Sequence, residues 1–180
     1  MAILVDQARW PWRGTYWCHL VTDLDLQELH DFASRLGCRR IGFQGDHYDI
    51  DINDRLQAIE LGAEACDSRE LVRRLRLAGL RLRPSAFTKW SLRERGDQLA
   101  TLPSDFSRFE PRLGGALTLA EHYFMVERPG VDGAMATALV LVGASPIAVV
   151  EDPTIGLFSR TDAQGQWSVE MICPPPGPTE

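Results

Sequence analysis

The chain has 180 residues, 44% of them hydrophobic, and a formal charge of −6 at neutral pH. That length supports one ordinary domain or two small ones, and the apolar fraction is enough to bury a core, which leaves globular and soluble as the class. No apolar run reaches the roughly 18 to 20 residues of a membrane helix, and "MAILVDQARW" is too short for a signal peptide and lacks its basic flank, so the expected compartment is the cytoplasm.

In chain order, "AILVD" (2–6) is a short apolar run ending in a carboxylate, and "YWCHLVTD" (16–23) alternates as a second strand. Between them lies "QARWPWRGT", an aromatic and arginine loop broken by Pro11 and Gly14. "DLQELHDFASRLG" has Asp25 and Glu28 at capping-box spacing and Leu26, Leu29, Phe32, Ala33 and Leu36 on one stripe, with Gly37 as the stop. "RRIGFQ" (39–44) is expected as a strand, followed by "GDHYDI" (45–50) as a polar loop. "NDRLQAIELG" predicts a short helix from Asn53 or Asp54 to Gly62, and "AEAC" (63–66) another strand. Asp67 and Glu70 repeat the capping-box spacing ahead of a third helix that Gly79 closes.

Strands alternating with helices of this length predict a small, mainly parallel sheet in an N-terminal α/β unit over residues 1–83, with three helices in a three-layer-like arrangement. Residues 84–113 lose periodicity and read as a connector with a helical turn or two. In 114–173 a smaller α+β part is expected. There "TLAEHYFMVERPG" favours a helix, since Thr118 and Glu121 stand at cap spacing, and "ATALVLVG", "SPIAVVED", "TIGLFSR" and "GQWSVEMI" predict short antiparallel strands, with "TDAQG" as a hairpin turn. The tail 174–180, "PPPGPTE", is extended.

The four cysteines, Cys18, Cys38, Cys66 and Cys173, show no C-x-x-C pair, so each is expected as a small buried apolar residue. Charge is unevenly spread: residues 69–95 carry 9 bases and 2 acids, between two acidic stretches. Within that basic island Arg69, Arg73 and Arg76 share one helical face, opposite Leu71, Val72, Leu75 and Ala78. Two readings stay open: a solvated helix face, or contact with nucleic acid or an acidic partner.

In a parallel sheet, residues just past the strand ends converge on one edge, where ligands of open α/β sheets bind. Asp6, Asp46 with His47, and Asp67 follow three of the expected strands, Asp23 ends another, and His19 lies within it. Carboxylates with one or two imidazoles are what a divalent Mg, Mn or Zn ion requires, because oxygen and nitrogen donors must replace its water shell. The metal-ligand candidates are Asp6, His19, Asp46 and His47. The same groups can work without metal, with His47 as general base oriented by Asp46 or Asp49 and with Tyr48 beside them. Asp23 and Asp67 also stand where helix caps are wanted, and His30 and His122 read as surface or boundary residues. In "RWPWRG" the indole of Trp10 offers a stacking face, and Arg9 and Arg13 are candidates to clamp a phosphate or carboxylate. The alternative for this stretch is a tryptophan-anchored lid over the sheet.

The motifs "VDQARWPWRG", "HLVTD", "ELHDFASRLG", "GDHYDI", "LGAEACDSRELVRRLR" and "AGLR" in the first eighty or so positions resemble a small bacterial and bacteriophage family catalogued as domain of unknown function 4031. The resemblance implies a fold unit and no particular reaction, and it implies that Asp6, Arg9, Trp10, Arg13, Gly14, His19, Asp46, His47, Tyr48 and Asp49 belong to the family's pattern. The expected cytoplasm would be that of the bacterial host if the protein is phage-encoded.

Two hypotheses follow. In the first, the N-terminal unit is a hydrolase-like or nucleotide-handling enzyme that uses the Asp/His cluster, with Arg9 and Arg13 on a phosphate-bearing substrate. In the second, it is a non-catalytic interaction module that binds nucleic acid or a protein through Arg69, Arg73 and Arg76. The β-rich acidic C-terminal part adds a third, a structural protein of a virion or complex.

Overall fold

β-branched and aromatic residues are frequent near the start of the chain, and its first three elements are strands. In a computed structural model, residues 2–82, 89–97, 102–129, 134–162 and 164–174 are described. The chain divides into two units, Met1–Phe87 and Thr88–Glu180.

In the first unit Ile3–Val5 (β1), Trp10–Trp12 (β2) and Thr15–Thr22 (β3) follow one another directly. β1 pairs antiparallel with β3 (Val5 opposite Leu20), and so does β2 (Trp10 opposite Trp17). Tyr48–Asp51 (β4) is also antiparallel to β3, with His19 opposite Asp49 and Trp17 opposite Asp51. Its pairing overlaps the stretches of β3 already held by β1 and β2, so β4 takes the other edge. Consequently β1 and β2 form one edge of β3, interrupted at residues 6–9. The two-residue turn of the β2–β3 hairpin is Arg13-Gly14, both at positive φ (50° and 77°), as a type I′ turn requires.

The α/β class holds, but the mainly parallel sheet does not: the only parallel pair among the described residues is β1 with Glu64–Ala65 (β5). Parallel neighbours need a long crossover, whereas β1 to β3 return by a hairpin with no helix between them. A second correction concerns "RRIGFQ", where Arg40–Gly42 forms a 3-10 turn instead of a strand. The strand falls on the expected loop. Phe43 bridges Tyr48 across a turn in which the Gln44 N–H donates to the His47 carbonyl, and Tyr48 and Ile50 then point inward while Asp49 and Asp51 alternate outward.

Among the described residues three α-helices join the sheet of this unit: Leu26–Arg35 (α1), Ile52–Glu60 (α2) and Ser68–Leu77 (α3). Their caps are carboxylates, as the spacing predicted for Asp25 and Asp67, while α2 starts earlier than expected on Asp51, whose side chain accepts from the Asn53 and Asp54 N–H groups. α1 and α2 cover one sheet face through Leu29, Phe32, Ala33 and Ala58 against Ile3, Val5, Cys18, Leu20, Tyr48 and Ile50. Each fully buried leucine there contributes about 1.5–3 kcal/mol. α3 covers the other face only where Leu71 and Leu75 meet Leu4 and Val21. Further along that second face lie Trp17, His19, Asp49, Trp10 and Trp12, half-buried or exposed.

The second unit is an antiparallel sheet of Ser91–Gly96 (β6), His122–Pro129 (β7), Met135–Gly143 (β8), Gly156–Thr161 (β9) and Trp167–Cys173 (β10), in the order β6-β7-β8-β10-β9. Phe106, Phe109 and Leu113, the last on the short helix Glu110–Leu113 (α4), pack on Met125, Leu139, Leu141 and Met171. The helix expected in "TLAEHYFMVERPG" is β7, which pairs with β8 over eight residues and buries Tyr123 and Met125 on one side; Thr118 belongs to the preceding short helix Ala116–Leu119 (α5). The expected connector contains β6, an exposed polar edge whose sequence "SLRERG" carries no apolar alternation. "SPIAVVED" is not a strand, although Ile147 anchors it in the core. The Gly165 N–H donates to the Asp162 carbonyl in the expected hairpin turn between β9 and β10. Residues 175–180 of the expected tail lie outside the described residues. Among those residues no helix is long and apolar enough to cross a membrane.

Candidate metal centre

Register brings the histidines together. His19 on β3 faces Asp49 on β4, and His47, two residues before Asp49, extends from the same side of the sheet. The ligand atoms of His19, His47 and Asp49 all lie within 4.8 Å of one another. His47 Nε2 stands 3.5 Å and His19 Nε2 4.0 Å from the same Asp49 oxygen, and the two imidazoles meet edge to face with centroids 5.2 Å apart.

Each imidazole is held from behind by a fully buried aspartate. Asp6 Oδ2 lies 3.0 Å from His19 Nδ1 and accepts from Ser68 Oγ, while Asp6 Oδ1 accepts from the His19 backbone N–H. Asp46 Oδ1 lies 2.6 Å from His47 Nδ1, and its Oδ2 accepts from Arg81 Nη1 and the Leu82 N–H. Burial by itself raises the carboxyl pKa of both aspartates, but the hydrogen bonds they accept outweigh it and hold both below 3.8. For His19 the bond to Asp6 outweighs burial in the other direction, lifting the imidazolium above 6.5. With Nδ1 engaged, Nε2 of each ring is turned toward Asp49. Gln44 donates to the other Asp49 oxygen.

Of the sequence candidates, His19, His47 and Asp49 therefore converge, on a sheet face instead of a strand-end edge. Asp6 and Asp46, expected as ligands, stand instead behind the two imidazoles, where each carboxylate already accepts three hydrogen bonds. Tyr48 is corrected as well. Strand alternation sends it to the opposite, buried face, where its Oη lies 2.9 Å from His30 Nδ1 and accepts from Arg40. Asp67 caps α3, and Asp23 pairs with Arg74. His122, at the start of β7, lies 3.0 Å from Asp97 in the second unit.

Trp10 meets the His19 ring edge-on, with centroids 6.3 Å apart, and Arg13 sits 4.2 Å over the Trp12 ring. Arg9 is exposed at the start of β2. Arg69, Arg73 and Arg76 lie along the exposed flank of α3, where Glu70 holds Arg73 by two hydrogen bonds. Sequence reasoning missed Ser68, Arg81, Gln44 and Trp17. Ser68, within the quoted "LGAEACDSRELVRRLR", and Arg81, within "AGLR", had a signal only through the family motifs.

No curated protein and no solved structure matches the chain. Residues 3–78 match the model of a family described as "Protein of unknown function (DUF4031)", which bears out over that span the resemblance carried by the motifs of the first eighty residues.

Proposed function

We propose that the N-terminal unit is a divalent-metal hydrolase acting on a phosphate-bearing substrate, with His19, His47 and Asp49 as the ligands. One observation carries this reading: three ligand atoms converge within 4.8 Å while both imidazoles are oriented by buried carboxylates. Carboxylate–histidine support of this kind fixes the tautomer and raises ligand basicity, the outer-shell pattern of metal sites. The separations fit as well. Ligands about 2.0–2.1 Å from a tetrahedral zinc stand about 3.3–3.4 Å apart, close to the 3.5 and 4.0 Å here. Two imidazoles favour zinc or a similar transition metal over magnesium, which prefers oxygen donors.

His19, His47 and Asp49 would hold the ion and leave a position open, and a bound zinc would supply Lewis acidity to a water there. Arg9 and Arg13 would hold the phosphate, as the charge of a phosphate-bearing substrate demands.

Thermal unfolding of the full chain, titrated with zinc, manganese and magnesium, tests the metal. A ligand that binds only the native state at 100 times its Kd stabilises by about 2.7 kcal/mol. Zinc should raise Tm, and His19→Ala, His47→Ala and Asp49→Ala should each abolish the rise while Tyr48→Phe keeps it. No shift with any of the three ions would refute the centre. Turnover of a chromogenic phosphodiester, present with zinc and absent after His47→Ala, tests the reaction.

A further inference from the structure

Beside the centre the sheet face continues as a row of indoles. Trp10 and Trp17 are register partners, Trp12 stands two residues on from Trp10, and Trp17 two before His19, so all three share the face of His19. Trp12 and Trp17 meet edge to face at 5.1 Å, and the Trp17 indole N–H donates to the Trp12 carbonyl, which orients that ring. Even so, Trp10 is 60% and Trp12 53% exposed. Cross-strand contacts explain the hairpin's cohesion but not why so much aromatic surface stays in water.

Arg73, Arg74, Arg81, Arg93 and Arg112 each pair with a carboxylate, whereas Arg9 and Arg13 make no salt bridge among the described residues. Overall charge does not oppose an anionic ligand. The first unit carries 12 arginines against 13 acids, net −1, so the acidic excess of the chain lies in the second unit. From His19 to Thr15 the face runs four residues of β3, about 14 Å, which is room for two or more nucleotides and more than a single phosphate needs.

We infer that Trp10, Trp12 and Trp17, flanked by Arg9 and Arg13, form a platform for single-stranded nucleic acid that leads into the metal centre. Bases stack on indole faces whatever their sequence, and guanidinium groups without carboxylate partners are left to phosphates. A sugar would also stack on tryptophan, but it would not call for two cations that lie outside any salt bridge among the described residues. This deepens the hydrolase reading and rests on it, since it names the phosphate-bearing substrate as a nucleic acid.

The test is fluorescence anisotropy of a labelled single strand of about twelve nucleotides with the full chain in EDTA, so that no metal is needed. Binding should weaken with salt, and Trp10→Ala and Trp12→Ala should each lower affinity about five- to 100-fold. Tyr16→Ala is the folding control: Tyr16 is 55% exposed on the opposite face of the same hairpin and should have no effect. Binding by the unsubstituted chain in EDTA and the zinc-induced rise in Tm are independent readouts, so the platform and the centre fail separately. Absence of binding would overturn the inference. So would an equal loss with Tyr16→Ala, a loss confined to Arg69→Glu/Arg76→Glu on α3, or a mononucleotide binding as tightly as the strand.

Discussion

Asp6 and Asp46 are inaccessible to solvent, yet each is held ionised by hydrogen bonds from the imidazole it orients and from groups brought by distant segments: Ser68 at the start of α3 for one, Arg81 and Leu82 beyond its end for the other. Removing such an outer-shell carboxylate from a metal site lowers affinity roughly 10–100-fold. Asp46→Asn keeps the shape and loses the charge, so zinc affinity measured by competition with a chelator should fall by that factor. An unchanged affinity would mean that Asp46 serves the fold alone. On the opposite face, burial first and then the nearby Arg40 guanidinium push the His30 imidazolium down to about 4. Because the folded-state pKa is below the unfolded 6.5, the unfolded chain takes up the proton first. His30 therefore costs no stability above pH 6.5, and the protein loses stability as pH falls from there toward about 4, by up to roughly 3 kcal/mol. Denaturant midpoints measured across this range should slope less in His30→Gln than in the parent; equal slopes would place the protonation elsewhere.

Among elements, the β2–β3 hairpin carries the clearest tension between fold and use. Arg13 adopts φ 50° in a turn whose first position favours Asn or Gly, at a cost on the order of 1 kcal/mol. Arg13→Asn should raise stability by about 0.5–1 kcal/mol in urea unfolding while weakening binding of the single strand; a stability loss would show that the arginine's packing on Trp12 outweighs its backbone strain. The helices α1 and α3 were legible from sequence, because a carboxylate cap, an apolar stripe and a terminal glycine are local signals that burial then reinforced. β4 was not. Its residues "YDID" alternate in burial, but two acids and a preceding "GDH" hide a four-residue strand inside what reads as a polar loop. β7 was misread for the related reason that "EHYFMVER" fits either periodicity, and only its eight-residue pairing with β8 decides between them.

For the molecule as a whole, each unit has its own buried clusters. A fragment of residues 1–87 should therefore unfold cooperatively by itself and keep the zinc-dependent rise in Tm; a fragment that is unfolded by circular dichroism would mean the second unit is needed for the first to fold. The residue types of the centre were readable in advance: His19, His47 and Asp49 stood among the candidates, as did the arginine and tryptophan of the hairpin. The sequence by itself determined the class of fold, the capped helices, and the supply of imidazole, carboxylate and indole groups, since these depend on composition and on spacings of three or four residues. Only the tertiary structure decided strand direction, and with it the roles: antiparallel pairing sets His19 opposite Asp49, turns Tyr48 away, and leaves Asp6 and Asp46 behind the histidines. That register is a relation between segments some thirty residues apart, and no local pattern encodes it.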